Sequence, residues 1–252
     1  MKQNQQPKSV FQALRNRSPI DPQELSEFVF GSKERLELYN NFSKKMEEVS
    51  QLTPAIFEMS RHEAIFHKMQ ESQRTKLIYT NNVANDKLFP FESLNTYYIH
   101  YAGLVGQLMS GSLITFMATD EQKSAWLPAI NKYVWISCYC QTELSHGLDF
   151  NSVKTMASFD LKTQEFVIHT PTNDAMKWWP GDLSIYSNHC LLMAQLYSNG
   201  KNYGVQPFFF KFRDLETHEV LPGVEVGDIG PKMGYNFKDN GFLRYKINSS
   251  LF

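Results

Sequence analysis

Three stretches of this chain combine residue types that can hold a ligand. Gln141-Thr142-Glu143, followed by Ser145-His146-Gly147, leaves a strand-like run for a loop and offers amide, hydroxyl, carboxylate and imidazole groups. Such a set can orient a polar ligand by hydrogen bonds, although a turn between strands accounts for the glycine equally well. Lys177-Trp178-Trp179-Pro180-Gly181 places two indoles ahead of a Pro-Gly turn. Neighbours on an extended chain face opposite ways, so the two tryptophans cannot both serve one core. An aromatic wall beside a glycine suits close approach of a flat ligand to the backbone, and a packed corner is the plain alternative. Gly227 to Tyr235, GDIGPKMGY, carries three glycines and a proline and reads as a shaped surface loop.

The three cysteines, Cys138, Cys140 and Cys190, lack the spacing of a metal site, so no metal ligands are assigned. Cys138 and Cys140 read as buried thiols on one face of a strand, as suits a reducing compartment.

Two blocks of different period must position these groups. Up to about residue 134 the pattern is helical: Tyr39, Phe42, Met46 and Val49 recur at spacings of three and four. A second run follows Pro54, a loop is expected over Asn81 to Pro90, and Thr119-Asp-Glu-Gln122 has capping-box spacing for a helix ending near Pro128. Beyond Val134 the period becomes two, in short runs such as WISCYCQT, EFVIHT, HCLLMAQLYS and FLRYKI separated by turn residues. The expectation is an α+β chain: a polar tail over 1–20, an all-α helical domain over 21–134, and an antiparallel β domain over 135–252. There are no internal repeats.

A net charge of −1 gives no electrostatic case for nucleic acid or an anionic membrane. Tyr97 to Ala118 carries no Asp, Glu, Lys or Arg over 22 residues, enough to span a bilayer. It also holds His100, Gln107 and three glycines without basic flanks, so it reads as a helix buried in protein and no transmembrane segment is expected.

Taken together the pieces resemble acyl-CoA oxidases, within the flavin-dependent acyl-CoA dehydrogenase superfamily. CYCQTELSHG, LKTQEFVIHTPTNDAMKWWPG, SNHCLLMAQL, RDLETHEVLPGVEVGDIGPKMGY and DNGFL stand in that family's order and spacing, certainly over residues 104 to 247. The resemblance implies a middle domain that is a small antiparallel β barrel, with its QTE and WWPG loops bordering the flavin ring of FAD. Thr142 and Gly181 fall on the family's flavin contacts, with Gln141 and Trp179 beside them. It also implies removal of the α-proton of a fatty acyl-CoA with hydride transfer from the β carbon to the flavin, which O2 then reoxidises.

Departures from the pattern are expected to matter. Ser145 replaces a glycine, Lys154 replaces an acidic residue, and Asp182 stands where another glycine is usual, which puts a carboxylate near the presumed flavin edge. Family members continue into C-terminal helical domains that carry the catalytic glutamate, whereas this sequence stops at Ser249-Ser250-Leu251-Phe252. No catalytic residue is therefore assigned. The expectation is a truncated oxidase-like chain, not catalytic alone, whose helical layer and barrel another protein chain covers; acyl-CoA is the substrate if it is catalytic. The alternative is a non-catalytic subunit of a larger assembly. The family implies the peroxisome, although its C-terminal targeting signal is absent here. The basic residues Lys2, Lys8, Arg15 and Arg17 raise the mitochondrion as the alternative.

Overall fold

The computed structural model describes residues 11, 13–15, 17–50, 58–82 and 104–246. Contacts divide the chain into two compact units, Met1–Pro54 with Gln73–Ile99, and Ala55–Ser72 with His100–Phe252.

In the first unit, helix α1 (Pro22–Phe30) has proline at its first turn, where no N–H is needed. The Asp21 carboxylate caps it by accepting from the amides of Gln23 and Glu24, and Gly31 ends it at φ 85°, a left-handed conformation that suits glycine. Helix α2 (Lys33–Ser50) follows from its apolar spacing, with Tyr39 packed 4.7 Å from the Phe30 ring. The side chains of Phe42, Met46 and Val49 lie outside the described residues. Helix α3 (Arg61–Asn82) belongs to the second unit as far as Ser72 and to the first from Gln73, and it opens on a capping box in which Ser60 and Glu63 bond reciprocally. Residues 83–90 of the expected loop, and Tyr97 to Gly103, lie outside the described residues.

In the second unit, helix α4 (Leu104–Met117) packs on the first strand at a glycine. A Cβ on Gly106 would stand 2.0 Å from the Ser137 carbonyl oxygen, so only glycine allows the helix this close. One residue on, the buried Gln107 amide donates to the Ile130 and Trp135 carbonyls and accepts from the Ser137 amide, tying helix to strand. The other face of α4 is open: Phe116 is 84% and Met117 61% exposed. The expected burial of this apolar helix therefore holds for one face only. No helix among the described residues is long and apolar enough to cross a membrane.

Helix α5 (Asp120–Asn131) begins at the expected Thr119–Gln122 capping box, but Pro128 lies inside it. A proline removes one backbone bond, yet Ile130 is buried and Gln107 holds its carbonyl, and this anchoring carries the helix one more turn.

The eight strands are β1 (Ser137–Cys140), β2 (Met156–Asp160), β3 (Glu165–His169), β4 (Lys177–Gly181), β5 (His189–Ser198), β6 (Lys201–Lys211), β7 (Val224–Asp228) and β8 (Asn240–Tyr245). They form a five-stranded sheet centred on β5 and a three-stranded antiparallel sheet in the order β4-β8-β7. The expected antiparallel arrangement holds for most strands and fails at two pairings. Strands β1 and β2 both run parallel to β5, sharing one edge of it end to end. Alternation in sequence signals which face a residue takes but not the direction of its partner strand, which is why the pattern missed this. The described strands pair into these two sheets, without a closed ring. Backbone bonds bridge them at two corners, Trp178 N–H to the Thr142 carbonyl (3.0 Å) and Thr170 N–H to the Tyr245 carbonyl (3.2 Å). Between the sheets lies one apolar core of Cys138, Cys140, Ala157, Ile168, Leu183, Cys190, Leu192, Ala194, Phe210, Phe212, Leu243 and Tyr245.

Candidate functional site

The end of β1 and the bulged end of β4 are brought together by the Thr142–Trp178 backbone bond. The result is a pocket of about 230 Å³ lined by Gly106, Tyr139, Gln141, Thr142, Trp179, Pro180 and Gly181. All four residues singled out in the sequence meet there. Complete small-molecule sites run to roughly 300–1,000 Å³, so this pocket can take one edge of a ligand rather than enclose it.

Its polar groups are oriented from behind. The Tyr139 hydroxyl donates to Gln141 Oε1 at 2.6 Å, which leaves the Gln141 amide N–H groups available toward a ligand. Sequence reasoning missed Tyr139 and Gly106. Tyr139 had a signal, two residues before Gln141 and thus on the same strand face; Gly106, on a helix far upstream, had none.

The two tryptophans take the opposite roles that adjacency demands. Trp178 stacks on Phe242 with ring centroids 6.1 Å apart. Trp179 is half exposed at the pocket and stands at φ 84°, in a bulge where the register with β8 shifts. A bulky residue in the left-handed region is strained, and the Asn240 side chain holds it by donating to the Trp179 carbonyl at 2.7 Å.

Behind Thr142 lies a buried ionic network. The Lys177 ammonium donates to Glu143 Oε1 (3.0 Å) and to the Gln141 (3.0 Å) and Met193 (2.8 Å) carbonyls. Glu143 also accepts from the Thr155 amide and hydroxyl and from the Lys154 amide. Burial opposes ionisation of Glu143, but Lys177 and these bonds outweigh it and hold its pKa below the ordinary value. Burial lowers the Lys177 pKa, and Glu143 offsets part of that. The carboxylate is thus consumed within the protein.

Asp182 corrects an expectation. Its side chain is buried, and its carboxylate accepts from Lys238 Nζ at 2.6 Å instead of presenting an unbalanced charge to the pocket. Lys238 also crowds Gly181, where a Cβ would meet its Cε at 3.1 Å. Lys154, the other charge change, pairs with Asp174, and Ser145 is exposed. Asp239 of the DNG motif is structural: its carboxylate accepts from the amides of Ser184, Ile185 and Tyr186 and fixes the turn after Gly181. The GDIGPKMGY loop is braced by Arg61, whose guanidinium pairs with both Asp228 oxygens and donates to the Asn236 carbonyl.

The pocket fits the edge of a flat polar heterocycle such as isoalloxazine. It offers an oriented amide, a hydroxyl, an indole wall and a glycine backbone, and no carboxylate is among its lining residues.

No family model matches the chain. It is 34% identical over 243 residues to acyl-coenzyme A oxidase acox-1.1 of Caenorhabditis elegans, covering 92% of this chain and 35% of that protein. Against peroxisomal acyl-coenzyme A oxidase 1 of Arabidopsis thaliana it is 52% identical over 130 residues, covering 50% of this chain and 20% of that one. Among solved structures, an acyl-CoA oxidase of tomato superposes with a TM-score of 0.86 at 34% identity, covering 94% of this chain and 37% of its own. Acyl-CoA oxidase-1 of C. elegans complexed with FAD and ATP superposes at 0.83 with 31% identity, covering 97% and 38%. The chain spans about a third of the length of these full-length relatives.

Proposed function

We propose, for a chain that matches the N-terminal and middle portion of acyl-CoA oxidases over nine-tenths of its length, that it supplies one wall of an FAD site for α,β-dehydrogenation of fatty acyl-CoA. FAD when bound accepts a hydride and passes electrons to O2. In this reading Thr142 and the Gly181 backbone contact the ring, Gln141 donates to its edge, and Trp179 shields it from water. The observation that carries the reading is the convergence of Gln141, Thr142, Trp179 and Gly181 on one pocket.

The same geometry supports a division of labour. Glu143 and Asp182, the carboxylates nearest the site in sequence, are bonded to Lys177 and Lys238. Neither is placed as a base for the α-proton, so the base comes from a segment other than these loops. The exposed Phe116, Met117 and Trp179 support a covering protein segment or partner chain, which completes the site or makes the chain a structural subunit. The peroxisome is the proposed location, because a plant relative is named peroxisomal. The mitochondrion is the alternative drawn from the basic N-terminus.

The test is titration of the full chain with FAD, followed by flavin fluorescence, beside Thr142→Val. Weak saturable binding is expected, with about 2–10-fold loss in the variant for one removed hydrogen bond. Absence of binding, or equal binding by the variant, contradicts the assignment.

A further inference from the structure

We propose that Cys138, Cys140 and Cys190 form a three-thiolate site for a soft monovalent cation, Cu(I) by chemistry. The thiols are free and fully buried. Cys138 and Cys140 lie two apart on β1 and so share its inward face, with sulfurs 3.6 Å apart. The parallel pairing of β1 with β5 sets Cys190 directly beside Cys138, and all three sulfurs lie within 4.8 Å of one another. Three sulfurs around one ion with bonds of ~2.3 Å stand about 3.8–4.0 Å apart, so changes of at most about 1 Å in the sulfur separations close the set. Sequence spacing concealed this, because the third ligand arrives by strand pairing from far downstream.

Two further observations point to an anion at this place. Tyr245 is 1% exposed and its hydroxyl lies against Cys190, with no oxygen or nitrogen partner among the described residues. A metal-bound thiolate at Cys190 would accept the proton of this buried hydroxyl more strongly than a neutral thiol does. Burial raises the Cys140 and Cys190 pKa values, and the Lys177 ammonium offsets part of that for both thiols.

The donor set selects the ion. Sulfur-only ligation favours Cu(I), whereas Zn²⁺ takes a fourth ligand, and no His, Cys, Asp or Glu among the described residues joins this group. Burial keeps the free thiols protonated, with all three pKa values well above ordinary. Each coordinated thiol therefore releases one proton. The site goes from neutral to a net charge of −2 for one Cu⁺, and Lys177 and the Tyr245 hydroxyl offset part of it. Apparent affinity accordingly rises with pH.

The full chain, reduced and anaerobic, is titrated with Cu(I) buffered by bathocuproine disulfonate, both in the native state and during refolding, since the thiols are sealed in the fold. One Cu(I) per chain, a sulfur-to-copper charge-transfer band and three sulfur scatterers in X-ray absorption are expected. Tyr245→Phe should keep that ligand set with roughly 10-fold weaker binding. Cys190→Ala should lose the three-sulfur signature. No retained copper, copper on nitrogen or oxygen alone, or a Cys190→Ala chain that binds like wild type overturns the proposal. If that variant fails to fold, the wild-type ligand count decides. FAD binding is read separately by flavin fluorescence, so neither result depends on the other.

Discussion

The Lys177 ammonium stands 3.0 Å from Glu143 Oε1, with both side chains fully buried. Because Lys177 also holds the Gln141 carbonyl, this pair fixes the backbone on both sides of Thr142. Lys177→Met leaves an uncompensated buried carboxylate and should cost about 3–5 kcal/mol in urea unfolding. Lys177→Met with Glu143→Leu should recover part of that loss. Equal destabilisation by the single and double variants would show that the charge is not the cause.

Helix α4 rests on β1 through Gly106. Gly106→Ala pushes a methyl against the Ser137 carbonyl, which is backbone and cannot rotate away. A loss of about 1–3 kcal/mol or more is expected in the same assay, with Gly111→Ala as the control because nothing lies within 4 Å of its Cβ position.

Trp179 is strained where it faces the pocket. Trp179→Gly relieves the left-handed backbone and should hold or raise stability by about 1 kcal/mol, since the side chain is half exposed. The same change should weaken FAD binding. Stability lost together with affinity would mean that the indole serves packing instead.

His189 is sandwiched between Trp135 and Phe209 at 4.5 and 5.4 Å, and burial pushes its pKa down to about 4. In the unfolded chain it titrates near 6.5. Between those values the unfolded state binds the extra proton, so stability falls as pH drops from 6.5 toward 4 and the loss levels off below. About 2 kcal/mol should disappear between pH 7.5 and 5. His189→Gln should remove that part of the slope while the other titrating groups keep theirs.

The meeting of the QTE and WWPG loops was legible only through the resemblance to acyl-CoA oxidases; alternation and Pro-Gly by themselves give a local strand face and a turn. The helix opening at Thr119 and its capping box were legible because that signal is local. What stayed hidden depends on tertiary register. The parallel seating of β1 and β2 on β5, the Lys238 partner of Asp182 56 residues away, and Tyr139 and Gly106 in the pocket arise from pairings that periodicity does not encode. Asp182 shows the consequence most plainly. It read as a carboxylate near the presumed flavin edge, and Lys238 pairs with it.

Catalysis by the chain alone should be absent. Neither Glu143 nor Asp182 is free to take a proton, and general-base chemistry contributes about 10²–10⁴-fold. Purified chain with excess FAD and palmitoyl-CoA should release no steady peroxide. Sustained release would place a working base within these residues.

The central claim, that one edge of a flavin rests on these two loops, is tested most directly by hydrogen exchange of the full chain at saturating FAD. Amides of residues 141–143 and 178–181 (proline 180 excepted) should gain protection together, and Thr142→Val should reduce that gain. Protection confined to other segments, or none at concentrations where flavin fluorescence reports binding, would contradict the account.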